Sequence, residues 1–160
     1  MGTAKCTIKG MKILVALSGS HDEADDPVIQ TATSLPWPPG TEVHVLSVAE
    51  IIQPVMVGMV PDVIDTGDVQ IATDEDAKST AISAVNQFRE KGMQAEGISL
   101  EGEPADAIVE HAKAWSADLI VVGSHGRTRM ERFLTGSVAT SVVKDAPCSV
   151  LIVKGAAKSR

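Results

Sequence analysis

At 160 residues the chain has the length of one ordinary domain, and 44% apolar residues with a mean hydropathy of +0.11 set it apart from disordered sequences. A formal net charge of −7 repels a phosphate backbone, and 2% aromatic residues with no Tyr leave few stacking platforms, so nucleic acid is not an expected partner. No apolar run approaches a membrane span, residues 1–11 lack the apolar centre of a secretory signal, and Cys6 and Cys148 stand outside any CxxC or metal-type spacing, which together point to a reducing cytoplasm and away from a membrane.

Residues 1–11 are small and polar and read as a flexible leader. Lys12-Ile-Leu-Val-Ala-Leu17 is a short apolar run ending at Ser18-Gly19-Ser20, the pattern of a buried strand. Two helix starts compete after it. Ser20 with Glu23 makes a capping box, and Asp26 with Pro27 makes an N-cap followed by proline at the first helical position. Either start carries Val28, Ile29, Ala32 and Leu35 towards a core, before Pro36, Pro38, Pro39 and Gly40 stop the helix and Trp37 plugs the turn. Glu42 to Val48 is a second strand, in which the lone His44 is expected to be structural. Residues 49–72 form a long flap-like connection, a mobile cover or a partner surface.

Thr73 with Asp76 opens a helix to about Lys91, with Ala77, Ala81, Ala84, Val85 and Phe88 as its buried stripe and Gly92 as its end. Gln94 to Leu100 is a weaker strand, and Pro104 starts a helix with Ala105, Ile108, Val109 and Ala112 on one face. Asp118 to Gly123 is a strand, Ser137 to about Lys144 a helix, and Cys148 to Val153 the last strand, with Cys148 expected to be a buried, inert thiol. Strands that alternate with helices specify an α/β fold: an open parallel sheet of five strands, Rossmann-like, with right-handed crossovers and helices on both faces. Residues 12–154 make this one domain, and 155–160 are a tail.

The densest chemical signal is Gly123-Ser-His-Gly126 followed after nine residues by Gly136-Ser137, between the fourth strand and the last helix. Unpaired amides and the helix dipole at such a junction favour an anion, and glycine permits positive φ and the close approach of a ligand. Gly126 and the backbone of Arg127 suit one phosphate, and Gly136 and Ser137 suit another through N–H and Oγ. Arg127, Arg129 and Arg132 offer positive charge. The pattern is neither a Walker A loop nor GxGxxG.

These residues resemble the universal stress protein family. The similarity runs over about residues 12–153: the opening Lys-Ile-Leu-Val-Ala run, Glu103 to Ile108, Ala117 to Arg127, Gly136-Ser-Val138 and Ala146 to Val153. The G-x2-G-x9-G-S/T spacing marks its ATP-binding branch. The resemblance implies strand order 3-2-1-4-5 and a homodimer joined through Ser149–Val153. It also implies a nucleotide site in which Gly123, Gly126, Gly136 and Ser137 contact the triphosphate and ribose and Val138 adds a backbone group. Ala16, Ser18 and Val48 would border the adenosine, and Leu17, Ser124, His125 and Arg127 complete the set. Ser18 stands where ATP-binding relatives usually carry Asp, which removes a charge that could hold a cation or a hydroxyl.

The expected function is an adenine-nucleotide-binding regulatory module of the stress response, taking ATP with or without magnesium and acting on a regulatory protein partner. Two alternatives stand beside it. One is a slow ATPase or phosphotransferase, with His125 orienting a water; the other is an interaction protein whose glycine loop is vestigial.

Overall fold

The computed structural model describes residues 10–17, 26–49, 74–124 and 136–154, with side chains from residue 81 onward in the third of these segments. The elements follow the order β1 (Lys12–Leu17), α1 (Pro27–Ser34), β2 (Glu42–Ala49), α2 (Asp74–Glu90), β3 (Gln94–Glu101), α3 (Pro104–Trp115), β4 (Leu119–Gly123), α4 (Ser137–Asp145) and β5 (Ser149–Val153). The sheet is parallel throughout, in the order β3-β2-β1-β4-β5. The expected fold class and strand order both hold.

Burial explains why the central strands are so apolar. Ile13 to Leu17 are all buried, because a strand covered on both faces has no position that meets water. Alternate residues feed two separate cores. Ile13, Val15, Leu17, Val43 and Val45 pack under α1 and α2 against Val28, Ile29, Ala84, Val85 and Phe88. Leu14, Ala16, Leu46, Val48, Ile120 and Val122 pack under α3 and α4 against Ile108, Val109, Ala112, Ala139 and Val142. Each large aliphatic or aromatic side chain so buried contributes about 1.5–3 kcal/mol relative to exposure, which makes up for the near absence of aromatics.

The helix ends follow local rules. Asp26 caps α1, its carboxylate accepting from Val28 N at 2.7 Å, with Pro27 in the first turn. Of the two starts open in the sequence, this is the one used; Ser20 and Glu23 lie outside the described residues. Trp37 Nε1 donates to Ala32 O at 2.6 Å, and the ring packs half-buried on the core as the expected plug. At the end of α2, Gly92 takes φ +79°, which lets its N–H reach Arg89 O and the Met93 N–H reach Phe88 O. Thr73, the expected cap of α2, lies outside the described residues. So does all of the 49–72 connection except Ala49, which is the last residue of β2. At the other end of the chain, Met11 extends β1: its carbonyl accepts from Glu42 N at 2.9 Å and its side chain packs on the core.

Candidate functional site

β1 is the first strand laid down, and its two neighbours are reached in opposite directions, β2 on one side and β4 on the other. The crossovers after β1 and β4 therefore leave the sheet on opposite faces. The carboxyl ends of these two strands are the position at which open α/β sheets form a ligand crevice. The described residues at that end are Ala16 and Leu17 from β1, Val48 from β2, Gly123 and Ser124 from β4, and Gly136, Ser137 and Val138 at the start of α4.

Strand register brings these residues together. Ala16 pairs with Val122 on one side and Leu46 on the other, so the ends of β1 and β4 are level. Ala16 and Val48 lie on the α3–α4 side, in the same core layer as Ala139 and the half-buried Val138. Leu17 faces the opposite layer. Ser124 is fully buried; its N–H donates to Val153 O at 2.8 Å, and its carbonyl accepts from Gly136 N at 2.6 Å. That second bond ties the residue after β4 to the residue before α4. It also engages the Gly136 amide, so this group is not available to a phosphate as the sequence suggested.

The start of α4 carries the chemistry. Gly136 is its N-cap at φ −66° and ψ 160°, and no side chain among the described residues caps the helix. The first-turn amides that Asp26 and Glu103 satisfy elsewhere have no such acceptor here among the described residues. Gly136 needs no positive φ, so its value lies in the missing side chain rather than in a left-handed backbone. Ser137 is exposed in the first turn, and Ala139 beneath it is buried. Thr140 is turned inward on its own helix, with Oγ1 donating to Gly136 O at 3.0 Å. None of the described residues at the ends of β1 and β4 or in the first turn of α4 is a carboxylate. The arrangement suits an anion held by amides and a hydroxyl, and its described residues offer a hard cation no carboxylate. Ser18, His125, Gly126 and Arg127, with Arg129 and Arg132, lie outside the described residues.

Three features were not legible in the sequence. Ser47 Oγ is completely buried on β2, level with Leu17 and Ser99, and has no hydrogen-bond partner among the described residues. An open groove of about 280 Å³ between α3 and α4 is lined by Asp106, Glu110, Lys113, Ser141 and Asp145, none of them from the crevice. His44 is not alone: it meets His111 and stacks on Trp115 at the opposite end of the strands. Only a contact across 67 residues makes that pair, so strand periodicity could not find it. Cys148 is half-buried just ahead of β5, and burial first, then the Asp118 carboxylate, push its thiol pKa up, in keeping with an inert thiol. Among the described residues no helix is long and apolar enough to cross a membrane.

Residues 11–154 match the family model described as the universal stress protein family. The universal stress protein MJ0531 of Methanocaldococcus jannaschii is 48% identical over 75 residues, which is 46% of this chain and 44% of that protein, so the match spans less than half of the relative. Among solved structures, that of MJ0577 superposes with a TM-score of 0.72 at 23% identity, covering 95% of this chain and all of the other, a likeness of fold. The universal stress protein from Archaeoglobus fulgidus in complex with dAMP superposes with a TM-score of 0.59 at 29% identity, covering 90% and 98% of the two chains.

Proposed function

The chain belongs to the universal stress protein family, and from that premise we propose that it is an adenine-nucleotide-binding regulatory module. The observation that carries the reading is the uncapped amino end of α4 at the mouth of the β1–β4 crevice. Its first-turn amides, uncapped by any described side chain, and Ser137 receive phosphate oxygens. Gly123 and Gly136 keep side chains out of the way, Ala16 and Val48 line the apolar side where a base or ribose lies, and Leu17 ends β1 on the opposite face. Ser18, Ser124, His125, Gly126, Arg127 and Val138 complete the proposed set. The A. fulgidus relative binds dAMP with a chain of the same fold, which favours an adenylate as the ligand, and ATP is the form proposed here.

Turnover is not part of the proposal. Phosphoryl transfer needs a metal, a positioned nucleophile and charge stabilisation, and neither the described residues at the ends of β1 and β4 nor Ser18 contributes a carboxylate. ATP is therefore held rather than hydrolysed, with magnesium contributing little. Two copies of the chain join along β5, whose outer edge is unpaired among the described residues. Nucleotide occupancy then regulates contacts with a protein partner in the cytoplasm.

The test is equilibrium binding of ATP and dAMP to metal-stripped protein, with and without added magnesium, alongside Ser137→Asp. Aspartate is tolerated in the first turn of a helix and complements the dipole, so the fold survives, but its charge opposes a phosphate. The expected result is binding to wild type and at least about a tenfold loss in the variant, the equivalent of about 1.4 kcal/mol. Absence of binding to wild type overturns the reading, and phosphate release over hours restores the enzyme alternative.

A further inference from the structure

At the amino ends of the strands, away from the crevice, two histidines face each other. His44 Nδ1 on β2 and His111 Nε2 on α3 are 3.0 Å apart. The His44 ring lies flat on Trp115, with centroids 3.6 Å apart and planes inclined by 10°. Lys12 of β1 donates from Nζ to Trp115 O at 3.2 Å and sits 5.4 Å from the centre of the indole. Glu96 of β3 approaches from the solvent side, its carboxylate 3.7 Å from His44 Nε2. The groups facing the pair are thus Lys12 from β1, Glu42 from β2, Glu96 from β3, and Trp115 from α3 itself. No third side chain joins the two imidazoles as a metal-ligating group among the described residues.

A bond between two imidazole nitrogens needs one N–H and one lone pair. With both rings neutral it forms. One added proton is accommodated on the ring nitrogen outside the bond, and at His44 Nε2 that proton faces Glu96. A second proton removes the lone pair. Two N–H groups and two positive charges then oppose each other at 3.0 Å, with the Lys12 ammonium close by.

We propose that the His44–His111 pair is an acid-sensitive latch, holding the last turn of α3 on the sheet while at least one imidazole is neutral and releasing it when both are protonated. Burial, and for His44 the charge of His111 as well, lowers both pKa values, so the folded pair resists the second proton and opening takes it up. The released segment is short. Ser116 ends α3 in a left-handed conformation at φ 57°, the Ala117 N–H closes the helix end on Ala112 O, and the Asp118 N–H joins the sheet at Lys12 O. The latch stands independently of the nucleotide reading, since none of its residues borders the crevice.

The experiment is amide hydrogen exchange of the full chain from pH 7.5 to 4.5, corrected for intrinsic exchange, with the β1 amides as an internal reference. Protection at residues 112–117 is expected to fall about tenfold per pH unit below about 6.5, wherever the opened state binds one more proton. The β1 amides are expected to stay flat. His111→Gln keeps a donor and an acceptor but takes no proton, so the second proton has no place at the contact. The fall in 112–117 protection should then be clearly shallower than in wild type, with only the half-buried His44 left to titrate. Flat protection in wild type, or an unchanged pH dependence in His111→Gln, overturns the latch. Should that variant not fold, imidazole nitrogen NMR of the wild type decides: two separated, coupled titrations support the latch, and two independent titrations at the ordinary histidine pKa overturn it.

Discussion

Glu103 does for α3 what Asp26 does for α1. Its carboxylate accepts from Ala105 N at 2.6 Å and Asp106 N at 3.1 Å, satisfying two amides that the helix leaves unpaired. Glu103→Ala is expected to destabilise the domain by about 1 kcal/mol, read as a lower urea midpoint with an unchanged slope. At the same point of α4 stands Gly136, with no side chain to perform this task. A glycine there reads in the sequence as a phosphate motif, and in the structure no side chain among the described residues caps this helix start. What the sequence could not supply was the bond from Gly136 N to Ser124 O, because hydrogen-bond partners across a loop depend on where its two ends are held.

Elements differ in how much of their surface is covered. β1 is paired on both sides and buried on both faces, whereas β5 pairs only with β4 among the described residues and leaves Ile152 36% exposed. Val143 on the neighbouring α4 is 51% exposed. The proposed pairing of two β5 edges covers apolar surface of this kind, so Ile152→Lys is expected to yield a folded monomer. Light scattering on the eluting protein checks it, and a dimer of unchanged mass would count against assembly through β5. The strand boundaries were readable to within a residue or two, since turn residues and apolar runs are local signals. β3, expected to be the weaker strand, instead runs for 8 residues in unbroken register with β2. Gly97 brings the strand close to α2, where an added Cβ would lie 3.4 Å from both Ala81 Cβ and Val85 Cγ2. Gly97→Val drives further carbons into that contact and should destabilise by about 1–3 kcal/mol, again by urea unfolding.

For the molecule as a whole, the two histidines set a pH dependence whose sign is definite. Both folded pKa values lie below the ordinary 6.5, so between the folded value and 6.5 the unfolded chain binds more protons. Their contribution is constant above about pH 6.5 and is lost as pH falls towards the folded values. The urea midpoint of wild type is therefore expected to drop between pH 7 and pH 5 by more than that of a His44→Gln, His111→Gln double variant. Equal slopes of stability against pH would show that the pair carries no part of the acid response.

By itself the sequence determined the α/β fold, the parallel sheet, the domain core and the place of the glycine motif at the end of β4. Each of these rests on short-range pattern: period, cap, turn residue and apolar run. The tertiary structure alone decided what meets across the chain. It levelled the ends of β1 and β4 to form the crevice, engaged the Gly136 amide with Ser124, buried Ser47 without a partner among the described residues, and turned His44 from a solitary core residue into half of a proton-sensitive pair. Those outcomes depend on strand register and on the packing of α3 over β2, and neither is encoded in any local stretch of residues.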